Sequence, residues 1–379
     1  MRSSQKVWSP DSMRAVAVFP DKKQISLVDH PEPSLTSPTE VKLHVLEVGI
    51  CGTDREIAAF EYGFAPAGSD YLVLGHESLG EVVEIGKDVT SVKPGDLAVL
   101  SVRRPCPEFC PACAAGRQDF CYTGHFKERG INRLHGYLTS YVVEDEPYLY
   151  VVPKSLRDIG VLTEPLTITE KAMDQMKTVS GRMPWVGENP EDHQNQHALV
   201  LGAGPVGLLA AMKLVIEGYR TFVYSLGRGD PQKTGIMDAI GATFLPAEDI
   251  KAAEVLGNCG GHVDLVIEAL GAASISFEII QSLGQNAIFI FTGVPGRKAP
   301  IPFDLSDLMR DMVLKNQLVF GTVNAGPMHF RDAIADLERF DARFPDAVRQ
   351  LITNRFSIDQ FLKPVENPGG IKNVIQIAQ

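Results

Sequence analysis

The chain has 379 residues, 44% of them apolar and 22% charged, with 36 basic against 47 acidic side chains and a formal charge of −11. That length and balance describe a folded protein with room for two hydrophobic cores. The acidic excess, with no block of Lys or Arg, argues against nucleic-acid binding and against attraction to an anionic membrane, and no apolar run approaches the roughly 18 residues of a membrane span.

Residues 1–12 are polar, lack the apolar segment of a secretory signal, and read as an extension outside the core of a cytoplasmic protein. From Met13 to about Val152 the sequence reads as short strands broken by turns: RAVAVF, VKLHVLEV, GEVVEIG, DLAVLSV, GYLTSYVVE and PYLYVVP. These are valine-rich runs bounded by Gly, Pro and Asp. A first helix is expected near Pro165, where Thr167 and Glu170 have capping-box spacing. The polar, proline-containing stretch 182–196 reads as an inter-domain loop. HALVLGAGPVGLLAAMKLVIEGYRTFVYSL then reads strand, glycine turn, helix, strand, and further strands are expected at VDLVIEAL, NAIFIFTGV and QLVFGTV. Alternating strands and helices predict a parallel, doubly wound sheet. From Asn324 the pattern is more helical, with a strand near the end. The expected organisation is a β-rich domain over 13–190, an α/β domain over 191–323, and a return of 324–379 to the first.

Gly202-Ala203-Gly204-Pro205-Val206-Gly207 is a G-x-G-x-x-G between an apolar strand and an Ala/Leu helix. In that context the glycines permit a tight turn and close approach of a pyrophosphate to the helix N-terminus. The next strand ends in Ser225-Leu226-Gly227-Arg228, without the acid an NAD site usually places there. Arg228, with its forked and permanent charge, suits a 2′-phosphate; NADP is favoured and NAD is not excluded.

Cys106, Cys110, Cys113 and Cys121 form C-x3-C-x2-C-x7-C, the thiolate set of a closed structural zinc site in a lobe spanning about 103–125; in a reducing compartment disulfides are the weaker reading. Cys51 and His76 stand apart, each at the end of a strand-like segment and beside glycines. They can supply two ligands of a catalytic zinc that keeps one position open. The third ligand must come from elsewhere, with Glu164 the best candidate, and Glu77 can serve as a supporting carboxylate or transient ligand. Cys259 reads as buried filler.

Together CGTDREI, LGHESLGEVVEIG, the four-cysteine lobe, TEPLTITEK and GAGPVG resemble the zinc-dependent medium-chain dehydrogenases. RRPCPEFCPACAAGRQDFCYTG, TEPLTITEKAM and GTVNAGPMHF resemble their glucose 1-dehydrogenase branch. The resemblance implies an α/β protein with a GroES-like catalytic domain and a Rossmann domain, assembled as a homodimer or homotetramer. It implies Cys51, His76 and Glu164 as catalytic zinc ligands with Glu77 near metal and substrate, and the four lobe cysteines around a structural zinc. For a sugar it suggests Glu128, Glu164 and Asn324 as hydroxyl partners, with Glu77 and Thr53 in reach and Asn324 also near the cofactor; carboxylates and amides suit a polyol because they offer several directional hydrogen bonds. The sequence departs from that pattern at Val102 and Ile168, where some relatives carry a polar residue, and in the extra residue between the first two lobe cysteines.

The implied reaction is oxidation of an aldose at its anomeric carbon, with hydride passing to NADP or NAD. Thr53, two residues after Cys51, is placed to pass on the released proton; Glu56 stands where alcohol dehydrogenases often carry a relay histidine, and Asp54 reads as an anchor behind the metal. The competing readings are a zinc polyol or secondary-alcohol dehydrogenase and, in a different class, a dinucleotide- and zinc-binding protein without turnover.

Overall fold

Val41, Leu43, Val45 and Val48 are buried along Glu40–Ile50 while the residues between the first of them remain partly exposed. That two-residue period makes a strand with one face in a core. Over its last four residues both faces are buried, and it is there that the chain enters the candidate site. The computed structural model describes residues 12–378 apart from 188, 229, 297–299 and 368. Of the polar stretch 1–12 only Ser12 is among them, so its reading as an extension lies outside the described residues.

The chain folds as two compact units: one takes it through Glu164 and again over Ala325–Leu337 and from Ile352 onward, the other takes Pro165–Asn324 and Glu338–Leu351. The first unit is β-rich. Its main sheet runs, in spatial order, Leu149–Val152, Leu97–Leu100, Glu77–Ile85, Glu40–Ile50, Lys372–Gln376 and Ile352–Ser357, with Tyr141–Asp145 also paired to Glu40–Ile50. The C-terminal strand thus lies directly beside Glu40–Ile50, antiparallel, with Asn373 opposite Ile50. A smaller sheet of Gln24–Pro31, Ser12–Phe19 and Leu72–Val73 closes over the same apolar core. Gln24–Pro31 has only part-buried apolar residues, so its sequence carries no clear alternation.

The second unit is a six-stranded parallel sheet in the order Thr243–Pro246, Arg220–Ser225, His197–Leu201, Leu265–Glu268, Ile288–Phe291, Leu318–Gly321. Counted along the chain this is the 3-2-1-4-5-6 order of a dinucleotide-binding fold. The doubly wound sheet expected from the sequence is therefore present. The first long helix differs from expectation. It spans Thr163–Ser180, beginning two residues before Pro165, with the Thr163 hydroxyl donating to the Gly160 carbonyl at 2.7 Å. Pro165 fits in the first turn, where its missing N–H has no partner to lose. Thr167 and Glu170 are consequently helix-interior residues rather than a cap, and the Glu170 carboxylate pairs with Lys213 at 3.2 Å.

A buried charge cluster ties the cysteine lobe to the main sheet. Arg104 and Arg129, on the short strands Arg103–Arg104 and Lys127–Arg129, both reach Oε2 of Glu144 on Tyr141–Asp145; Arg129 donates from Nε at 2.9 Å and from Nη2 at 2.7 Å. Burial alone would raise the Glu144 pKa, but the two guanidiniums hold it down at about 2. A carboxyl depressed from about 4.5 in this way stabilises the fold at every pH above that value and loses the contribution as pH falls toward 2. The full contribution is about 3 kcal/mol. Glu144→Gln is expected to lower the urea midpoint at neutral pH, and the gap to wild type is expected to narrow between pH 4.5 and 2; a gap independent of pH over that range would refute the assignment.

Candidate active site

Cys51 ends the strand Glu40–Ile50 and is the N-cap of the helix Gly52–Ala58. Its N–H donates to Asp54 Oδ2 at 3.0 Å, so the C-x-x-D spacing is a capping arrangement that fixes the thiol at the helix entrance. His76 stands immediately before the strand Glu77–Ile85 and turns Nε2 to the Cys51 sulfur at 3.2 Å. Its other ring nitrogen, Nδ1, lies 3.4 Å from Asp54 Oδ1. A ring held by a carboxylate on one side and facing a thiolate on the other has the form of a metal-ligating histidine with its orienting partner. Burial pulls the His76 pKa down, but the Cys51 and Asp54 charges outweigh it and hold the ring well above its ordinary value.

Ligand atoms of Cys51, His76 and Glu77 lie within 4.8 Å of one another. Glu164, in the first turn of Thr163–Ser180, joins them electrostatically: desolvation, helped by Glu77 and Asp54 and opposed by His76 and Lys372, raises its carboxyl to about 7. A thiol, a histidine ring between that thiol and Asp54, and the carboxyls of Glu77 and Glu164 form a sulfur, nitrogen and oxygen donor set. It fits a divalent zinc ion with an open position. A fixed cation stands beside them: Lys372 is almost wholly buried, and its ammonium pairs with Glu77 Oε2 and donates to the Ile50 carbonyl at 3.3 Å. Glu77 faces Gly49 across the sheet. A Cβ at Gly49 would lie 2.0 Å from Glu77 Oε2 and 2.8 Å from Lys372 Cε, so the pair crosses the strand where a side chain is missing.

In the lobe, the four sulfurs of Cys106, Cys110, Cys113 and Cys121 also lie within 4.8 Å of one another. All four are free thiols. A tetrahedral zinc with Zn–S bonds of about 2.3 Å separates its sulfurs by about 3.8 Å, and Cys110 and Cys121 are 3.9 Å apart. Backbone N–H groups of Cys106 and Cys110 point at the sulfurs of Cys113 and Cys106 at 3.4 Å. Amides of Cys113 and Tyr122 lower the Cys110 thiol to about 6. The longer loop between Cys106 and Cys110 closes through Phe109 at φ 45, whose N–H donates to the Cys106 carbonyl at 3.1 Å. The extra residue is thus absorbed in a left-handed turn and the four sulfurs stay gathered.

The glycine turn has the geometry its spacing predicts. Gly202 sits at φ 108, and a Cβ at Gly207 would meet the Gly202 carbonyl at 1.9 Å; only glycine serves at either place. Gly204 is the N-cap of Pro205–Ile216, with Pro205 at the first helical position, and a Cβ there would meet nothing within 4 Å. Ala203 is buried and Val206 partly exposed in the same turn. The turn has room beside Gly204 for a phosphate and a helix N-terminus to receive it. Glu268, at the end of Leu265–Glu268, accepts the N–H groups of Leu270 and Gly271 at 2.8 and 2.6 Å and so holds the loop that lies against Gly202.

The remaining expected residues are less closely gathered. Thr53 and Glu56 are partly exposed on the helix begun at Cys51. Glu128 is buried on Lys127–Arg129, and its Oε1 accepts both Nε and Nη2 of Arg103 at 3.0 Å. Asn324 is a left-handed residue at φ 60, partly exposed. Arg228 is exposed and paired with Asp249. Val102 lies in the apolar core, Ile168 is partly exposed in a helix, and Cys259 is fully buried, its thiol pushed up to about 12 by burial. Two residues escaped the sequence reading. Gly49 had a usable signal, a glycine inside a strand pattern. Lys372 had none, because nothing local marks a lysine in GGIKNVIQI as buried.

A family model described as glucose dehydrogenase C-terminus matches residues 157–377, and one described as alcohol dehydrogenase GroES-like domain matches residues 37–154. A glucose 1-dehydrogenase of Thermoproteus tenax is 39% identical over 96% of this chain and 99% of its own. One of Methanocella arvoryzae is 37% identical over 92% of this chain and 94% of its own. The structure of Haloferax mediterranei glucose dehydrogenase in complex with NADP, Zn and gluconolactone superposes with a TM-score of 0.85 at 28% identity, covering 97% of this chain and all of that one. Two matched modules, relatives aligned along nearly their full length and the Cys51–His76–Glu77 cluster lead to one conclusion: the chain belongs to the glucose 1-dehydrogenase branch of the zinc-dependent medium-chain dehydrogenases.

Proposed function

We propose that the chain oxidises the anomeric C1 hydroxyl of D-glucose to the lactone, passing hydride to NADP. The observation that carries this reading is the near-full-length likeness to a glucose dehydrogenase whose structure holds NADP, Zn and gluconolactone, in a chain that keeps a Cys-His-carboxylate cluster of its own. When bound, zinc supplies a Lewis acid for the C1 hydroxyl and the dinucleotide supplies the hydride acceptor.

The protein's part is to hold and to orient. Cys51, His76 and Glu164 are the proposed zinc ligands. Asp54 keeps His76 in the tautomer that turns Nε2 to the metal, and Glu77, tethered by Lys372, sets the charge beside it. The C1 hydroxyl loses its proton as hydride leaves, and Thr53, in the first turn after Cys51, is the proposed first acceptor toward solvent, with Glu56 beyond it. Glu77, Glu128, Glu164 and Asn324 are the proposed sugar-hydroxyl partners. Gly202, Gly204 and Gly207, with Ala203, Pro205 and Val206, form the pyrophosphate turn, and Arg228 the cation at the adenosine end; Asn324 is proposed near the cofactor as well.

A homo-oligomer is proposed on two features of the second unit. Leu305, Met309 and Val313 recur every fourth residue on Leu305–Leu314, each between 68% and 71% exposed, which makes an apolar stripe on a helix that water should not favour. The edge strand Leu318–Gly321 ends the six-stranded sheet, and a second copy would cover both. The free thiols support a reducing compartment, and the cytoplasm is the proposed location; among the described residues no helix is long and apolar enough to cross a membrane.

Zinc-replete protein is expected to reduce NADP with D-glucose, and His76→Ala to lose turnover while its zinc content falls from two ions per chain to one. No rate with glucose but a rate with a polyol would overturn the substrate and keep the dehydrogenase. Gly49→Ala is expected to lower kcat by about 100-fold, the scale of a 1 Å displacement at a reacting centre, while the lobe keeps its zinc; full turnover in this variant would show that the Glu77–Lys372 geometry is unimportant. Met309→Glu with Val313→Glu is expected to reduce the mass measured by light scattering to that of a smaller assembly, and an unchanged mass would place the interface elsewhere.

A further inference from the structure

The strand Arg220–Ser225 ends without an acid, which in sequence favours a 2′-phosphate over a free ribose hydroxyl. The fold brings an acid to the same turn from the next strand. Thr243–Pro246 runs parallel beside Arg220–Ser225 with Pro246 opposite Ser225, so the residues after Pro246 run alongside those after Ser225. The Ala247 N–H donates to the Ser225 carbonyl at 2.9 Å. Glu248 Oε1 then accepts the N–H of Gly227 at 2.7 Å and, at 3.4 Å, that of Arg228. The Gly227 amide holds the Glu248 carboxyl below its ordinary range, so the acid is an anion at neutral pH.

Two cations stand at the same turn. The Arg228 guanidinium is already paired with Asp249, from the same loop as Glu248. Lys233, in the first turn of Pro231–Ile240, brings its ammonium to the same turn, where a Cβ at Gly227 would stand 3.7 Å from Nζ. Among the described residues no carboxylate forms an ion pair with Lys233.

We propose that Glu248 and Lys233 set the choice between NAD and NADP. Glu248 accepts the 2′-hydroxyl of NAD in place of the acid missing after Ser225, Lys233 with Arg228 receives the 2′-phosphate of NADP, and the opposition of the two at one turn lets the chain use both. The inference rests on the dinucleotide reading above. It adds two residues that lie outside the glycine motif and outside the strand end where the sequence is ordinarily read.

The test is binding, measured by titration calorimetry with NADP and with NAD, without sugar, on the zinc-replete wild type, Glu248→Gln and Lys233→Gln. One unit charge at about 4 Å in water corresponds to a change of about fivefold. Glu248→Gln is therefore expected to raise the preference for NADP over NAD by about five- to tenfold, and Lys233→Gln to lower it by a similar factor. Both shifts are expected to shrink in high salt, because Glu248 is exposed and Lys233 partly so. A preference that stays put in either variant, or two affinities that weaken alike in Glu248→Gln, would overturn the inference and leave Glu248 a turn-holding residue. Wild type binding neither dinucleotide would overturn the proposed function with it, so the two failures are distinguishable.

Discussion

The buried pair of Glu77 with Lys372 is the constraint on which the candidate metal centre depends. Both side chains are almost wholly out of water, and a charge left unpaired there would cost about 3–5 kcal/mol. The two come from strands on opposite sides of Glu40–Ile50 and meet over Gly49. To keep the pair, three strands must hold their register, with Gly49 opposite Glu77 and Ile50 opposite Asn373. Those strands carry Cys51 and His76 at their ends, so the same pair that satisfies two charges sets where the thiolate and the imidazole stand. Asp54 finishes the arrangement from the helix that begins at Cys51, capping that helix with one oxygen and facing His76 with the other.

The two clusters of ligating side chains have opposite surroundings. Around the lobe cysteines, backbone amides point at sulfur and the loops that carry them are short and local, so four thiolates are gathered within a stretch of sixteen residues, Cys106 to Cys121. Around Cys51 the ligands are drawn from distant strands and a helix, and the fixed partners are two carboxylates and a lysine. The first arrangement is closed and mechanical. The second gathers Cys51, His76, Glu77 and Glu164 with one buried ammonium on Glu77, a donor set that fits a divalent cation with an open position.

Much of both units was legible because their elements announce themselves locally. The two-residue period of VKLHVLEV marks a strand with one face inside, and HALVL followed by GAGPVG marks a strand, a turn and a helix entrance within eleven residues. The helix at Pro165 was less legible. Thr167 and Glu170 have the spacing of a cap, but the fold uses the segment before Pro165 to start the helix and gives Glu170 to Lys213. Gln24–Pro31 had no alternation to read, because a strand flanking a small sheet buries little of either face.

What the sequence determined by itself is chemistry carried by neighbours in the chain. The glycine turn, the Cys51–Asp54 cap and the four-cysteine lobe each close over a few residues, so spacing alone sets their geometry. What only the tertiary structure decided is chemistry assembled across strand pairings. Lys372 reaches Glu77 from almost 300 positions away, and Glu248 reaches Gly227 because two parallel strands end side by side. Register in a sheet is set by the burial of whole strands and by buried charges that must find a partner, and no short window of sequence contains either quantity.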